Sequence, residues 1–181
     1  MRGDLLSIAG NRVLLHQGVA MLERLSDALY AEPWGSWAPV GAQYRHILEH
    51  FRSFFAGVGD ARVDYDARAR DERIERDRGA ALEATRECLA ALDALDSVPD
   101  RPLAVQMDGG AGDERPDWRP SSAGRELQFL CSHTVHHYAL IKLLLEGSGV
   151  DLGVEFGVAP STLAYQRAAR QGIYAGVIAR P

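Results

Sequence analysis

The sequence predicts an all-α fold, a four-helix bundle with long crossover connections. Two observations carry that expectation. Apolar residues recur at three- and four-residue steps in four separate segments, which is the helical repeat. Strand signal is sparse, confined to one short stretch at 102–107. The chain of 181 residues, 46% hydrophobic and 25% charged, is long enough to build one domain, 1–181, around its own core.

The first helix is expected from residue 5 or 12 to 30, with Leu15, Val19, Leu22, Leu25 and Leu29 as its stripe. Glu32-Pro33-Trp34-Gly35 then breaks it, because proline and glycine both resist helix continuation. The second helix spans 39–55, with a cap candidate at Ser36 and a stop at Gly57 and Gly59. Its stripe is Tyr44, Ile47, Leu48, Phe51, Phe54 and Phe55. The third spans 71–95, with Leu82, Leu89, Leu92 and Leu95 in line. The fourth spans 122–146 and stops at Gly147 and Gly149. A short terminal helix starts near 161–166.

Roughly 15 residues join the second and third helices and about 25 the third and fourth, long enough to cross over rather than turn back. The later connection holds Pro99, Pro102, Pro116 and Pro120, and its centre, 102–107, reads as a short strand or extended crossing. The run 64–78, DYDARARDERIERDR, alternates charge sign, which taken alone describes a solvated helix face.

A net charge of -5 supplies no basic footprint, so nucleic acid is not expected as a partner. Lys142 is the only lysine, an arginine bias that suggests a GC-rich genome. Cys88 and Cys131 do not form a disulfide framework, and a reducing cytoplasm fits them best. The start, MRGDLLSIAGNR, lacks the apolar run of a signal peptide. No window approaches the ~18 continuous apolar residues of a membrane span.

The chemistry sits in histidine. His133 and His137 lie four residues apart on the apolar side of the fourth helix, with Leu130, Leu140, Ile141 and Leu144. His136 points about 100° away from His137. Two imidazoles at that spacing can aim nitrogens at one ion about 2 Å from each. The plainer reading is a pair of core or rim histidines, each hydrogen-bonded, and spacing alone leaves both open. A third ligand can come from the second helix, where His46 and His50 flank the stripe. His50 lies nearer its centre, so periodicity does not select His46. His16 reads as a surface residue, and Cys131, about 200° around the helix from His133, is not a ligand.

GAQYRHILEHF (41–51), together with HTVHHYALI (133–141), resembles the DinB-like (damage-inducible protein B) superfamily. VDYDARARDERIE and GVAPSTLAYQ are similar to segments of one bacterial branch. The resemblance covers most of the chain and rests on short motifs in matching order. It implies a metal-binding four-helix bundle whose ligands are His46, His133 and His137. It also implies a thiol-dependent transferase or isomerase using a low-molecular-weight thiol such as mycothiol or bacillithiol, with a metal-dependent hydrolase as the alternative. Members acting in ergothioneine biosynthesis carry a glutamate two residues after the last histidine. Here that position is Ala139, which disfavours that assignment.

Three neutral imidazoles leave a divalent ion with an open position, a catalytic pattern more than a structural one. Zinc suits them best, with Ni2+, Fe2+ or Mn2+ as other occupants. The expected partner is a small-molecule substrate, with a homodimer as a further expectation and a non-catalytic metal-binding stress protein as the rival function. Glu49 and Glu126 are candidates to orient the ligands. His50 and His136 could line the mouth, Asp64, Tyr65, Asp66 and Arg68 could fold over it, and Trp34 and Trp37 could wall a pocket.

Overall fold

The computed structural model describes residues 4–95, 100–107 and 117–171. The chain is mostly helical, with a small three-stranded sheet. Four long helices, α1 (Asp4–Arg24), α3 (Val40–Val58), α5 (Arg78–Ala94) and α6 (Ala123–Leu144), enclose the core. α1 packs on α5 and α6, and α3 packs on the same two. Two one-turn helices, α2 (Asp27–Ala31) and α4 (Glu72–Arg76), sit against α3, and α7 (Pro160–Arg170) follows the loop after α6. Among the described residues, no helix is long and apolar enough to cross a membrane.

Two expected helices are broken. The first stops at Arg24, and Ser26 restarts the chain as α2 by accepting the Leu29 N–H on its hydroxyl. The third is interrupted at Asp77, whose carboxylate accepts the Gly79 and Ala80 N–H groups and so opens α5. In both places a short polar side chain captures the free N–H groups of a new helix start. The break had been masked by apolar residues continuing in phase on both sides.

The apolar face of α5 also differs from its expected stripe. Ala81, Ala84, Thr85, Cys88 and Leu92 are buried, while Leu82, Leu89 and Leu95 lie half-buried at the flank. Small residues let α5 approach α1 and α3 closely. Thr85 fits there because its hydroxyl donates to the Ala81 carbonyl at 2.7 Å and meets the Tyr44 hydroxyl at 2.9 Å.

The sheet is the larger departure. β1 (Arg62–Asp64) runs parallel to β2 (Pro102–Gln106), which is antiparallel to β3 (Arg119–Ser122). Val63 pairs with Val105, and Leu103 with Ser121. The 64–78 run therefore begins in a strand, continues as coil and contains α4. The extended crossing at 102–107 forms the central strand, while Pro99 and Pro116 lie outside the described residues.

The sheet binds the end of α3 to the start of α6. β1 follows α3 through Ala61, at φ 56, and β3 runs into α6 at Ser122, whose side chain caps it. Asp100 accepts the Gly124 N–H at 2.8 Å, placing an acid at the start of α6. The adjacent Arg101 donates to the Val58 carbonyl at the end of α3. Each charge thus meets the helix end whose dipole attracts it.

Gly57 makes this junction tight, since a Cβ there would lie 2.0 Å from the Arg62 carbonyl oxygen and 2.9 Å from Val63 Cα. Gly→Ala in a helix ordinarily gains up to about 1 kcal/mol. Overpacking against a backbone that cannot yield costs about 1–3 kcal/mol or more. Gly57→Ala is therefore expected to lower the free energy of unfolding by about 1–2 kcal/mol in denaturant titration. A gain in stability would refute the close approach.

Candidate metal centre

α3 and α6 run antiparallel, so residues rising along one meet residues descending along the other. Gln43 faces His137, His46 faces His133, and His50 lies beside His133. The Nε2 atom of His133 is 3.2 Å from Nε2 of His46 and 3.2 Å from Nε2 of His137. The ring centroids of these three histidines lie 4.5–5.0 Å apart. Nitrogens held about 2.0–2.1 Å from a tetrahedral ion stand about 3.3 Å apart. The two separations from His133 match that edge.

His50 belongs to the same cluster. One nitrogen from each of His46, His50 and His133 lies within 4.8 Å of the others. A cluster of three histidines can therefore hold a metal ion. His50 is already engaged at both ring nitrogens. Its Nδ1–H donates to the His46 carbonyl at 2.8 Å, one helical turn back. Its Nε2 then carries a lone pair, which accepts from Arg68 Nη1 at 2.9 Å. Coordination through that Nε2 would have to break the arginine bond beside a cation.

His137 is held the opposite way. Its Nδ1–H donates to Gln43 Oε1 at 2.7 Å, which leaves the Nε2 lone pair facing His133. Fixing one ring nitrogen as a donor is how proteins ready the other for a metal. His133 Nδ1 is buried without a protein partner. With only rings facing one another, lone pairs oppose unless a proton or a cation sits between them.

The histidines are half-buried rather than central. The deepest line on α6 runs through Leu127, Leu130, Thr134, Tyr138 and Ile141, one residue out of phase with His133 and His137. Thr134 and Tyr138 tolerate that depth because their hydroxyls donate to the Leu130 and Leu14 carbonyls at 2.7 and 2.8 Å. His50 is the deeper of the α3 pair, 3% exposed, and His46 the half-open one. His16 is exposed, and Cys131 is a free, half-buried cysteine whose Sγ lies on the Gly10 side.

Burial is the first cause that keeps these rings neutral. Burial, then repulsion from His50 and His137, pushes His46 down to about 3. Burial and the same neighbours, with His46 and His136, push His133 to about 2. Burial, then His136 and His50, push His137 to about 4. Burial also lowers His50, partly offset by its bond to the His46 carbonyl. All four present neutral imidazole at neutral pH, the form that ligates metals.

Neither carboxylate expected to orient the ligands touches them. Glu49 is buried and accepts the Asp71 N–H at 2.8 Å, fastening the segment before α4. Glu126 is buried and accepts from the Tyr65 and Ser121 hydroxyls. Tyr65 in turn stacks on His50, with centroids 5.5 Å apart. The 64–68 segment does fold against the cluster. Asp64 takes the Asp66 and Ala67 N–H groups in a turn, Tyr65 is buried, and Arg68 reaches His50. His136 is exposed and meets His137 edge-on at 5.0 Å. Sequence reasoning missed Gln43 as the residue that orients His137. Its position three residues before His46, on the same helical face, was the available signal.

The chain is similar to FK506-binding protein 5 of Rhizopus delemar, with 35% identity over 104 residues. That stretch is 57% of this chain and 27% of the other, so the chain spans about a quarter of that protein's length. No family model matches the chain, and no solved structure matches it.

The depressed histidines give stability a pH dependence. Their values of about 2 to 4 lie below the ~6.5 of an unfolded histidine. Between those limits the unfolded chain binds more protons, so acidification favours unfolding. For metal-free protein, the melting temperature is expected to hold above about pH 6.5 and to fall from there towards pH 4. A His46→Gln, His137→Gln double variant should show a shallower fall. Identical curves for the two proteins would show that these rings do not carry the dependence.

Proposed function

We propose that His46, His133 and His137 bind a divalent ion, zinc foremost, and that the protein is a metal-dependent enzyme acting on a small molecule with a thiol as co-substrate. The observation that carries the reading is His133 Nε2 at 3.2 Å from the Nε2 atoms of both His46 and His137. We read the four long helices as a four-helix bundle of the DinB-like kind. The mutual packing of α1, α3, α5 and α6 and the sequence motifs at 41–51 and 133–141 support that.

The donor set suits zinc by number and type, and the two separations from His133 support it by spacing. Three neutral imidazoles leave the ion its full charge and at least one free position. When bound, such an ion lowers the pKa of a thiol or water that joins it. The residues themselves divide the remaining work. Gln43 fixes the ring of His137. His50, held by its own backbone and by Arg68, packs against His133 with centroids 4.1 Å apart and limits its tilt. Tyr65 and Phe129 close the same side, Phe129 lying 5.5 Å from the His133 ring.

The placement of the carboxylates lends support to thiol transfer over hydrolysis. A metal hydrolase commonly places a carboxylate beside the ion to take the proton of the attacking water. Here Glu49 and Glu126, the buried acids nearest the cluster in sequence, are committed elsewhere. A thiol needs no such base, because coordination alone deprotonates it. S-transfer is therefore favoured over the hydrolase alternative.

Protein purified without an affinity tag is expected to carry about one divalent ion per chain by elemental analysis, and the His133→Ala, His137→Ala double variant none. His50→Ala should retain the ion. Gln43→Ala should weaken zinc binding roughly 10- to 100-fold without unfolding the chain. Turnover of electrophiles should depend on an added low-molecular-weight thiol. Thiol-independent ester or amide cleavage would favour hydrolysis, and metal lost from His50→Ala but kept in His137→Ala would move the ligand set.

A further inference from the structure

A cleft of about 420 Å³ lies beside the histidine cluster. Trp34, Trp37 and Ala38 form one wall and Leu140, Leu143 and Leu144 the other. Gln43 is the one polar residue among those lining it, and no charged residue lines it. The same Gln43 holds His137 through Nδ1 at 2.7 Å. The other nitrogen of that ring, Nε2, lies 3.2 Å from His133 Nε2. Leu140 continues the α6 face of His137 three residues further on. Gln43 thus runs from the lining of the cleft to His137, a continuity of contact in which no histidine lines the cleft itself.

Trp34 packs against the edge of the core, and a turn holds the exposed Trp37 beside it. Trp34 and Trp37 exchange backbone hydrogen bonds at 3.3 and 3.0 Å across a two-residue turn. Gly35 supplies the turn's positive φ of 61°. Trp37 is nevertheless 70% exposed, and Leu143 opposite it 66%. An indole and a leucine facing water across a rigid gap leave apolar area that a ligand can cover. The volume falls within the ~300–1,000 Å³ range of small-molecule pockets.

From this continuity we infer that the cleft is the recognition pocket for the substrate, receiving an uncharged apolar group, an aromatic ring or an alkyl chain, whose molecule presents its reacting end to the histidines. The inference rests on the metal-centre reading above. Charged groups are disfavoured in the cleft because Gln43 alone offers polar contact, and its oxygen is occupied by His137.

The test uses zinc-loaded full-length protein and straight-chain alkyl hydroxamates from acetohydroxamate to octanohydroxamate, which pair a metal-binding head with a tail of graded length. Zinc content is measured on the same samples. Affinity by titration calorimetry is expected to tighten about three- to fourfold per added methylene until the cleft is filled. Trp37→Ala and Leu143→Ser should flatten that dependence while leaving zinc content and acetohydroxamate binding unchanged. Both side chains are exposed, so loss of fold is not expected, and circular dichroism checks it.

Zinc bound with an affinity independent of tail length, or an unchanged dependence in both variants, overturns the inference and leaves the metal centre standing. Absence of zinc overturns both together. Sedimentation equilibrium tests the other occupant: a dimer that Trp37→Ala dissociates, with a flat hydroxamate series, assigns the cleft to self-association and overturns the inference.

Discussion

The axial register of α3 against α6 decides whether this protein has a site at all. Sliding one helix past the other by a single turn moves a side chain about 5.4 Å, more than the 3.2 Å that separates the facing nitrogens. Register is fixed where the two helices share an end. Asp100 and Arg101, adjacent in sequence, grip the start of α6 and the end of α3, and the sheet joins the same two ends. Gly57 lets the last turn of α3 lie directly on β1. A feature absent from an idealised bundle therefore sets the geometry of the cluster. The sheet sits beyond His50, and the histidines occupy the turns that follow it.

The helices were legible in the sequence because their apolar residues follow the helical period. Tyr44, Ile47, Leu48, Phe51 and Phe54 are all buried on α3, as their spacing requires. Periodicity failed where the core is polar. On α6 the buried line passes through Thr134 and Tyr138, whose hydroxyls find backbone carbonyls. On α5 it passes through alanines, Thr85 and Cys88. Hydropathy weighs such residues lightly, so the predicted faces were displaced. The sheet was illegible for another reason. Its strands are three to five residues long, come from separated segments and contain Pro102 and Pro120. Local pattern cannot report pairings that tertiary closure creates.

The candidate site was partly legible. H-x-x-x-H on one helix announces two imidazoles, and a second pair on another helix offers partners. Spacing could not divide His46 from His50, because both lie on the same flank. Their difference is in hydrogen bonds. His50 spends Nδ1 on its own backbone and Nε2 on Arg68, whereas His46 turns Nε2 towards His133. Depth and availability run opposite ways here. The more buried ring is the more fully satisfied one, so burial alone does not single out a ligand.

Charge placement around the cluster completes the case. The rings lie too deep to hold protons at neutral pH, and Arg68 adds a positive charge that further disfavours protonating His46 and His50. That guanidinium also opposes a metal ion, so it weakens the attraction the histidines offer. Asp66 acts the other way, its carboxylate favouring the protonated form of His50, while the buried carboxylates are turned to backbone N–H and hydroxyl donors. The cluster is thus an uncharged set of rings on which charges of both signs, Arg68 and Asp66, act from the 64–68 segment.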